Sequence, residues 1–466
     1  MRHSASLAHR GARSVNRRDF LRTSGTLAAA CTLASRSFCK ARVSEYQSFR
    51  LEIAPVAVEL APGIEIRTIG YNGQVPGPLL RMREGVPVEI EVANRTLHDD
   101  LVHWHGLHIS SRMDGASEEG SPLIPPGGTF TYRFIPSPSG SRWYHTHIRA
   151  GRNLELGTYT GQFGFLYIEK QREPDDYDQE IFLAVRHWEP SFTKMRETAG
   201  DCPEISYRYA SFNNRLLGAG EPIRVRQGQR VLFRLLNASP TENVLLSLPG
   251  HTFRVTALDG NPVPHPAEVE VLSLAVAERI DAVVEMKRPG RWVLGSLNNE
   301  ERMKGLGVII EYAGANGKAD WQPPATVDWH YGRFSARRPE PPQPAELVTM
   351  LIEKKPETAE GINWWTINGK PFPEVEPLLV QKGMRYRLRL VNATACAHPM
   401  HLHRHSFELK RIAEVPMSGI VKDTVRVPEY GVADVEFVAD QPGPTLFHCH
   451  QQLHMDFGLM RMMEYG

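Results

Sequence analysis

The stretch Gly85-Val-Pro-Val-Glu-Ile-Glu-Val-Ala-Asn94-Arg-Thr96 decides the fold, because it occurs three times in the chain. It returns as Gly228-Gln-Arg-Val-Leu-Phe-Arg-Leu-Leu-Asn237-Ala-Ser239 and as Gly383-Met-Arg-Tyr-Arg-Leu-Arg-Leu-Val-Asn392-Ala-Thr394. In every copy the asparagine comes nine positions after the glycine, and the run between them is typical of a strand in a β-sandwich. Because each Asn-x-Ser/Thr triplet ends this strand, we interpret the asparagines as structural residues rather than glycosylation sites.

Turn-forming pairs precede the three copies: Asn72-Gly73, Asn213-Asn214 and Asn368-Gly369. The copies start 143 and 155 residues apart, which is the length of a domain. Residues 169–180 are polar and acidic, and residues 313–346 are rich in glycine and proline. The sequence therefore predicts three β-sandwich domains at 43–172, 173–320 and 345–466.

Charge argues against a nucleic-acid partner. The whole chain has a formal net charge of +1, but residues 1–41 contain eight basic residues and one acidic residue. The remainder has 46 basic and 52 acidic residues and a net charge of about −6. A mildly acidic body without a basic stripe does not suit a phosphate backbone.

The first 42 residues are predicted to be an export signal. Asn16-Arg17-Arg18-Asp19-Phe20-Leu21-Arg22 resembles the bacterial twin-arginine signal, and an uncharged stretch of thirteen residues, 23–35, follows it. That stretch is too short to span a bilayer. We expect a periplasmic or secreted protein without an integral membrane segment. Lipidation at Cys31 is less favoured, because Ala28 stands where that motif prefers leucine.

Four His-x-His pairs carry the candidate chemistry: His103/His105, His145/His147, His401/His403 and His448/His450. Alternate residues of a strand point to the same face, so each pair can bind from one side. The first and third pairs lie nine and eleven residues after Asn94 and Asn392. The second and fourth pairs lie five and seven residues after Gly140 and Gly443. The pairs therefore follow the repeat.

The middle copy of the repeat tests this pattern. Its equivalent positions are Leu246 and Leu248, then Gly295 and Leu297, and none of these side chains can bind a metal ion. We infer that two modules carry ligands and one does not. Eight imidazoles exceed the needs of a single ion, so a cluster of ions is expected, of a metal that neutral imidazole suits: Cu, Zn, Fe or Ni.

Cys449 narrows the choice of metal. The chain has five cysteines, of which Cys31 and Cys39 would leave with the signal, so Cys202, Cys396 and Cys449 cannot all pair with one another. Cys449 lies between His448 and His450 and must point to the opposite face of its strand. With His398 and His454 it would form the His₂Cys arrangement of a blue-copper site. One strand would then separate two metal sites, as a relay from single electrons to a multi-electron centre requires.

These residues resemble the copper motifs of the three-domain multicopper oxidases, the laccases and their relatives. The matching motifs are His103-Trp-His105-Gly106, Trp143-Tyr-His145-Thr-His147, His398-Pro-Met-His401-Leu-His403 and His448-Cys449-His450-x₃-His454. The resemblance covers residue 45 to the end. It implies an all-β chain of three cupredoxin-like Greek-key sandwiches, with type 1 copper in the third and no copper ligands in the second.

The resemblance also implies four coppers per chain and assigns their ligands. His398, Cys449 and His454 would hold the type 1 copper, and His103 and His401 the type 2 copper. The type 3 pair would be held by His105, His145, His147, His403, His448 and His450. Electrons from a small-molecule reductant would enter at type 1, and dioxygen would be reduced to water at the other three coppers.

Several positions depart from the family pattern. Leu459 occupies the axial position ten residues after Cys449, which should raise the redox potential unless the adjacent Met460 takes its place. Arg404 stands where the family usually has glycine. We expect this bulky cation near the cluster to hinder oxygen access or to disturb the local turn. In relatives an acidic residue often follows the last type 1 histidine directly. In this chain Met455 follows His454, and the acidic residue, Asp456, comes one position later.

Asp114 matches a family aspartate that helps supply protons, although an Asp-Gly turn explains it equally well. Glu118 and Glu119 are expected to be solvated.

Three functions are compatible with this pattern. The first is a laccase that oxidises phenols and aromatic amines, and the second is a cuprous or ferrous oxidase serving metal tolerance. The third is a cupredoxin scaffold or copper carrier without oxidase activity. The 14 methionines are dispersed apart from Met460, Met462 and Met463, which we interpret as core residues rather than a Cu(I) site. The oligomeric state is left open.

Overall fold

A computed structural model describes residues 46–170, 176–193, 204–337, 345–355 and 363–466. The predicted signal region, and with it Cys31 and Cys39, lies outside these residues, as does Cys202. The described chain is almost entirely β-structure, arranged in six sheets that form three consecutive pairs. No helix among the described residues is long and apolar enough to cross a membrane.

The first pair of sheets contains eight strands. They are β1 (Gln47–Ala61), β2 (Ile64–Tyr71), β3 (Gly77–Arg83), β4 (Val88–Asn94), β5 (His103–His105), β6 (Thr129–Phe134), β7 (Gly140–His145) and β8 (Phe163–Glu169). One sheet has the order β2-β1-β4-β6 and the other β3-β8-β7-β5. Helix α1 (Ser111–Asp114) and short 3-10 helices at Ser117–Glu119 and Gly157–Tyr159 occupy the connections.

The second pair of sheets contains eleven strands. They are β9 (Gln179–Phe192), β10 (Ile205–Phe212), β11 (Ile223–Val225), β12 (Arg230–Asn237), β13 (Val244–Ser247), β14 (Phe253–Leu258), β15 (Asn261–Val269), β16 (Val271–Leu274), β17 (Arg279–Glu285), β18 (Arg291–Ser296) and β19 (Gly307–Tyr312). The strand orders are β10-β9-β12-β17-β14-β15 and β11-β19-β18-β13-β16. Helix α2 (Asn299–Met303) precedes β19, and a 3-10 helix at Tyr331–Phe334 leads to the third pair.

The third pair of sheets contains the remaining strands. They are β20 (Glu346–Lys355), β21 (Trp364–Ile367), β22 (Leu378–Val380), β23 (Arg385–Asn392), β24 (His398–Leu402), β25 (Phe407–Ile412), β26 (Val415–Pro416), β27 (Val421–Lys422), β28 (Thr424–Val427), β29 (Val432–Val438), β30 (Thr445–Cys449) and β31 (Met460–Tyr465). The orders are β21-β20-β23-β29-β25-β26, with β27 on β25, and β22-β31-β30-β24-β28. Helix α3 (Gln452–Asp456) follows the cysteine strand.

The internal repeat corresponds to one structural unit. Its strands β4, β12 and β23 each lie between a parallel and an antiparallel neighbour in the first sheet of their pair. The closing asparagine is buried in all three copies and its side-chain amide donates to two backbone carbonyls, as Asn94 does to His98 and Ile124. The structural interpretation of these asparagines is therefore confirmed.

The predicted turns are present as well. Asn72, Asn213 and Asn368 all have positive φ, as does the residue after each. Asparagine and glycine tolerate this left-handed conformation, which tight turns between strands require.

Candidate metal centre

The His-x-His pairs lie on, or extend just beyond the ends of, strands that are hydrogen-bonded to one another. In the first pair of sheets β5 pairs with β7 and places His103 opposite His145. In the third, β24 pairs with β30 and places His401 opposite His448. The middle module forms the same pairing between β13 and β18, with Ser247 opposite Gly295 and no ligand on either strand. The repeat therefore puts both pairs of a module on neighbouring strands of one sheet.

Eight imidazoles, four from each of two sandwiches, meet in one buried cluster. Their ring nitrogens form three groups in which all ligand atoms lie within 4.8 Å of one another: His103/His105/His401, His105/His145/His450 and His147/His403/His448. Each group contains residues from both the first and the third sandwich. His105 stacks on His401 with ring centroids 3.7 Å apart, and His103 stacks on His403 at 4.1 Å.

Backbone carbonyls fix the orientation of four rings. Nδ1 of His103 lies 2.9 Å from the Asp114 carbonyl, and Nδ1 of His401 lies 2.8 Å from the Asp423 carbonyl. His145 and His448 make the same contact with the carbonyl of the next residue, at 2.7 and 2.8 Å. Because a carbonyl only accepts, Nδ1 must carry the proton, and the lone pair is on Nε2.

The remaining ring nitrogens of the cluster show whether these side chains fit bound metal ions. Six of these nitrogens are buried and have no hydrogen-bond partner within the described part of the chain: Nε2 of His103, His145, His401 and His450, and Nδ1 of His105 and His147. Burial lowers the pKa of His105, His145, His147, His401 and His450 and favours the neutral imidazole that binds metals. A cluster of inward lone pairs in a dry site is costly unless cations are bound. The donor set therefore fits metal ions.

A second candidate site lies on the other side of β30. Sγ of Cys449 is 3.7 Å from Nδ1 of His398 and 3.6 Å from Nδ1 of His454, and these two nitrogens are 3.2 Å apart. Nε2 of His398 lies 2.9 Å from Oγ1 of Thr394, which fixes that ring. Cys449 is a free, buried thiol, and burial raises its pKa. A bound metal cation would stabilise the thiolate that burial alone disfavours.

The structure also distinguishes Leu459 from Met460. Leu459 is fully buried in the same apolar cluster as Cys449, and its carbonyl accepts from the Cys449 backbone N–H at 3.0 Å. Met460 pairs with His448 at the start of β31 and packs with Leu446 and Met455. Met460 and Met463 are buried, in agreement with a core role for the C-terminal methionines.

Asp114 contacts two histidines of the cluster. Its Oδ2 lies 2.8 Å from Nδ1 of His403 and 3.1 Å from Nδ1 of His103. The carboxylate is fully buried. The turn interpretation also holds, because Asp114 ends α1 and Gly115 follows with a φ of 90°. The two interpretations of this residue are therefore compatible.

The expectation that Glu119 is solvated is wrong. The 3-10 turn Ser117–Glu119 turns this side chain inward, and the residue is only 2% exposed. Oε1 accepts from the backbone N–H of Leu446 at 2.6 Å and lies 3.4 Å from Nδ1 of His403. Burial and the neighbouring Asp114 raise the pKa of Glu119. Glu118 is half-buried and accepts from its neighbour Ser117.

The guanidinium of Arg404 is held by six hydrogen-bond acceptors, most of them in the loop before β30. Its guanidinium donates to the carbonyl of Ile109 at 2.9 Å, to the carbonyls of residues 441–444 at 2.8–3.2 Å, and to Oγ1 of Thr445 at 2.7 Å. Arg404 thus holds the loop that leads into β30. The family's glycine is explained by the backbone, because Arg404 has a φ of 58°.

A buried network of charged side chains contacts the cluster, and no pattern in the sequence pointed to it. Asp423 accepts from Nε2 of His105 at 3.0 Å and from Arg279 at 2.7 and 2.5 Å. Arg142 approaches the same carboxylate at 3.4 Å. Arg142, Arg279 and Asp423 come from the first, second and third sandwich, and all three side chains are inaccessible to solvent. Because Nε2 of His105 donates to Asp423, the Nδ1 lone pair is free for a metal.

Asp456 is the last residue of helix α3 and contacts the segment that follows β7 in the first sandwich. It is 3% exposed, and Oδ2 accepts from the backbone N–H groups of Ala150 and Gly151 at 3.0 and 2.8 Å. Gln452 donates to the same carboxylate at 3.0 Å. Burial raises the pKa of Asp456 to about 7 despite these hydrogen bonds.

Comparison with known proteins agrees with this geometry. Family models described as multicopper oxidase match residues 52–173, 208–311 and 339–466. The chain therefore belongs to the multicopper oxidase family, whose members bind copper and use dioxygen and reducing substrates. The predicted family and the predicted fold, three cupredoxin-like β-sandwiches, are confirmed.

Individual relatives carry several names. The chain is 31% identical to multicopper oxidase MmcO of Mycobacterium tuberculosis over 88% of this chain and 85% of the relative. It is 26% identical to Laccase-1 of Botryotinia fuckeliana over 86% of this chain and 78% of that protein. The crystal structure of a multicopper oxidase from Pseudomonas thermotolerans has a TM-score of 0.72 at 28% identity and covers 90% of this chain and 99% of its own.

Proposed function

We propose that this protein is a laccase-like oxidase that removes electrons one at a time from phenols or aromatic amines and reduces dioxygen to water. The observation that carries the proposal is the convergence of eight histidines into three groups beside a separate Cys-His₂ site. A copper carrier needs one such site, whereas a multi-electron reaction needs the cluster. We assign four coppers per chain: one type 1, one type 2 and two type 3.

The groups of nitrogens support an assignment of ligands. We place the type 1 copper at His398, Cys449 and His454, and the type 2 copper at His103 and His401. The type 3 pair would be held by His105, His145 and His450 on one side and by His147, His403 and His448 on the other. Each of these sets falls within one of the groups whose ligand atoms lie within 4.8 Å of one another.

Copper supplies one-electron redox chemistry, and the chain supplies the path and the protons. Cys449 is joined by peptide bonds to His448 and His450, so an electron that reaches the thiolate has a covalent route to both imidazoles. Oδ1 of Asp114 and Oε2 of Glu119 are both buried and have no hydrogen-bond partner among the described residues. Because burial and the neighbouring Asp114 raise the pKa of Glu119, Glu119 is suited to hold a proton beside His403.

The principal alternative is a cuprous or ferrous oxidase. The methionines at the C-terminus pack as core residues, which removes the best candidate for a Cu(I) collecting site. A scaffold or carrier without activity is disfavoured because all eleven predicted ligand side chains fall within groups whose ligand atoms lie within 4.8 Å of one another. We further propose export through the twin-arginine signal to the periplasm or the medium, on the strength of Arg17-Arg18 alone.

One experiment separates these functions. The copper-loaded protein should contain four coppers per chain, be intensely blue, and consume oxygen with 2,6-dimethoxyphenol and with a phenylenediamine. Initial rates with Cu(I) and Fe(II) are measured alongside. Oxygen uptake with the metal ions alone would overturn the laccase assignment in favour of a metal oxidase, and a colourless copper-loaded protein would overturn both.

A further inference from the structure

A cavity of about 300 Å³ reaches the ring of His454, the candidate type 1 ligand. Its lining combines three glutamates, Glu204, Glu242 and Glu429, with the apolar side chains of Ile205 and Leu453. None of the lining residues among those the structure describes is a lysine or an arginine. The volume admits one aromatic ring, because ligand pockets for small organic molecules start near this size.

The three carboxylates differ in how they are neutralised. Glu429 pairs with Arg426 at 2.7 Å, and Glu204 lies 3.7 Å from the ammonium of Lys354. The side chain of Glu242 is half-buried and accepts a hydrogen bond from Thr241, but it makes no salt bridge with any described residue. One negative charge at the cavity is therefore uncompensated.

Glu204 adds a second, independent sign of a ligand. The residue is 9% exposed, and its Oε1 is held by Asn363 and Lys354. Its other oxygen, Oε2, is buried at the cavity and has no hydrogen-bond partner among the residues that the structure describes. A buried acceptor without a donor costs free energy, and a ligand with an N–H group or a positive charge would relieve that cost.

The placement of the glutamates argues against a chelated metal ion. Every described set of three or more ligand atoms within 4.8 Å of one another lies at the histidine cluster or the Cys449 site. The cavity carboxylates do not converge on a point. The same cavity is lined by the apolar side chains of Ile205 and Leu453, and this combination suits a ring that carries a positive charge.

We propose that this cavity selects positively charged organic reductants, namely aromatic molecules that carry a separate ammonium group, over neutral and anionic ones. The inference rests on the proposed oxidase function and specifies the substrate class of its electron-entry site. Glu242 supplies long-range attraction, and Glu204 receives the positive end of the molecule next to His454. The bound ring then lies against Leu453 and Ile205, within electron-transfer reach of the His454 imidazole.

Three ferrocenes that differ in charge test this selection in the copper-loaded protein. They are ferrocenylmethyl-trimethylammonium, ferrocenemethanol and ferrocenecarboxylate, each a one-electron reductant whose charge is independent of pH near neutrality. Oxygen uptake gives kcat/KM for each, and each variant is compared with the wild type on the same reductant, so that differences in reductant potential cancel.

Glu242→Gln should lower kcat/KM for the cation by about three- to tenfold, leave the neutral ferrocene within twofold, and raise the value for the anion. Salt should diminish the wild-type preference, because the screening length is about 10 Å at 0.1 M ionic strength. Glu204→Gln should weaken competitive inhibition by phenyltrimethylammonium more than inhibition by benzenesulfonate. Glu414→Gln removes an exposed charge that does not line the cavity and is the matched control.

The outcomes distinguish a failure of the proposed charge selection from a failure of the proposed oxidase function. Equal effects of Glu242→Gln on all three ferrocenes, or effects matched by Glu414→Gln, would overturn the charge selection and leave the oxidase function intact. An effect of Glu242→Gln confined to Fe(II) oxidation would show a metal-ion site and overturn the organic substrate class. Failure to take up oxygen with any ferrocene would overturn the oxidase function and the inference together.

Discussion

The carboxylate of Asp423 lies 3.0 Å from Nε2 of His105, although 318 residues separate the two in the chain. Arg279, from the sandwich that carries no ligands, donates two hydrogen bonds to the same carboxylate. The middle sandwich therefore contributes to the metal centre through charge. Its arginine holds the aspartate, and the aspartate fixes which nitrogen of His105 faces the cluster.

The first prediction concerns this contact. Asp423→Asn removes the charge that stabilises Arg279 and weakens the hydrogen bond that orients His105. Loss of such an outer contact typically lowers metal affinity by about 10- to 100-fold. Copper at the cluster should then be lost to a chelator that leaves wild-type copper in place, while the blue absorption of the Cys449 site persists. Wild-type retention of cluster copper would contradict the assigned role.

A second prediction isolates the Cys449 site. Cys449→Ser replaces the thiolate with a hydroxyl, which is a poor copper ligand, while the serine is close in size to cysteine. The blue absorption should disappear, and metal analysis should show the loss of one copper per chain. Since His448 and His450 face the opposite side of β30, the cluster should keep its copper. A variant that stays blue would show that another residue is the sulfur ligand.

The axial position gives a third prediction. Leu459 is buried with Cys449, and leucine cannot ligate copper. Leu459→Met adds a weak thioether ligand that favours oxidised copper, so the type 1 potential should fall in a redox titration. Oxidation of phenols with high potentials should slow as a result. Met460→Leu is the matched control and should leave the potential unchanged, because Met460 packs with Leu446 and Met455.

Asp114 and Glu119 are predicted to act in oxygen reduction rather than in substrate oxidation. Asp114→Asn should slow reoxidation by dioxygen by about 10²- to 10⁴-fold, the usual contribution of a general acid. Anaerobic reduction of the blue copper should remain near the wild-type rate. Glu119→Gln keeps an oxygen for the Leu446 N–H and should affect the same half-reaction with normal copper content. Fast half-reactions in both variants would leave Asp114 as a turn residue.

The last prediction follows from the raised pKa of Asp456, about 7. Between the ordinary aspartate pKa of about 3.9 and this value, the folded state binds the proton that the unfolded state has released. Unfolding free energy should therefore fall as pH rises from about 4 to about 7. Asp456→Asn should remove that fall, and a pH series of melting temperatures measures it. Parallel curves for the two proteins would show that Asp456 is ionised in the folded state.

Much of this site follows from local sequence. The Gly-to-Asn spacing locates the strand of the repeat, and counting onward from Asn94 and Asn392 locates His103 and His401. Strand periodicity then predicts that Cys449 faces away from His448 and His450, and the structure places it so. The fold and its ligand-bearing edges are predictable because both depend on spacing within one module.

The residues that support the ligands could not be predicted, because their positions depend on contacts between modules rather than on spacing within one module. Glu119 looks like one of two surface acids, and only the 3-10 turn and the packing of Leu446 from another sandwich make it a buried neighbour of His403. Arg279 has no motif, and its partner Asp423 lies 144 residues further on. Arg404 was recognised as unusual, but its six acceptors come from loops whose positions no local pattern specifies.

The division of the eight histidines between the first and third sandwiches has a consequence for folding. Copper ions bound by both halves would act as cross-links between distant parts of the chain, closing a loop of about 250 residues, as the separation of His147 from His403 requires. Because such ions bind only when the two halves meet, metal binding and closure of the halves are thermodynamically linked. Copper availability would then govern resistance to proteases as well as activity, and chelation should open the molecule at its joints before it unfolds any sandwich.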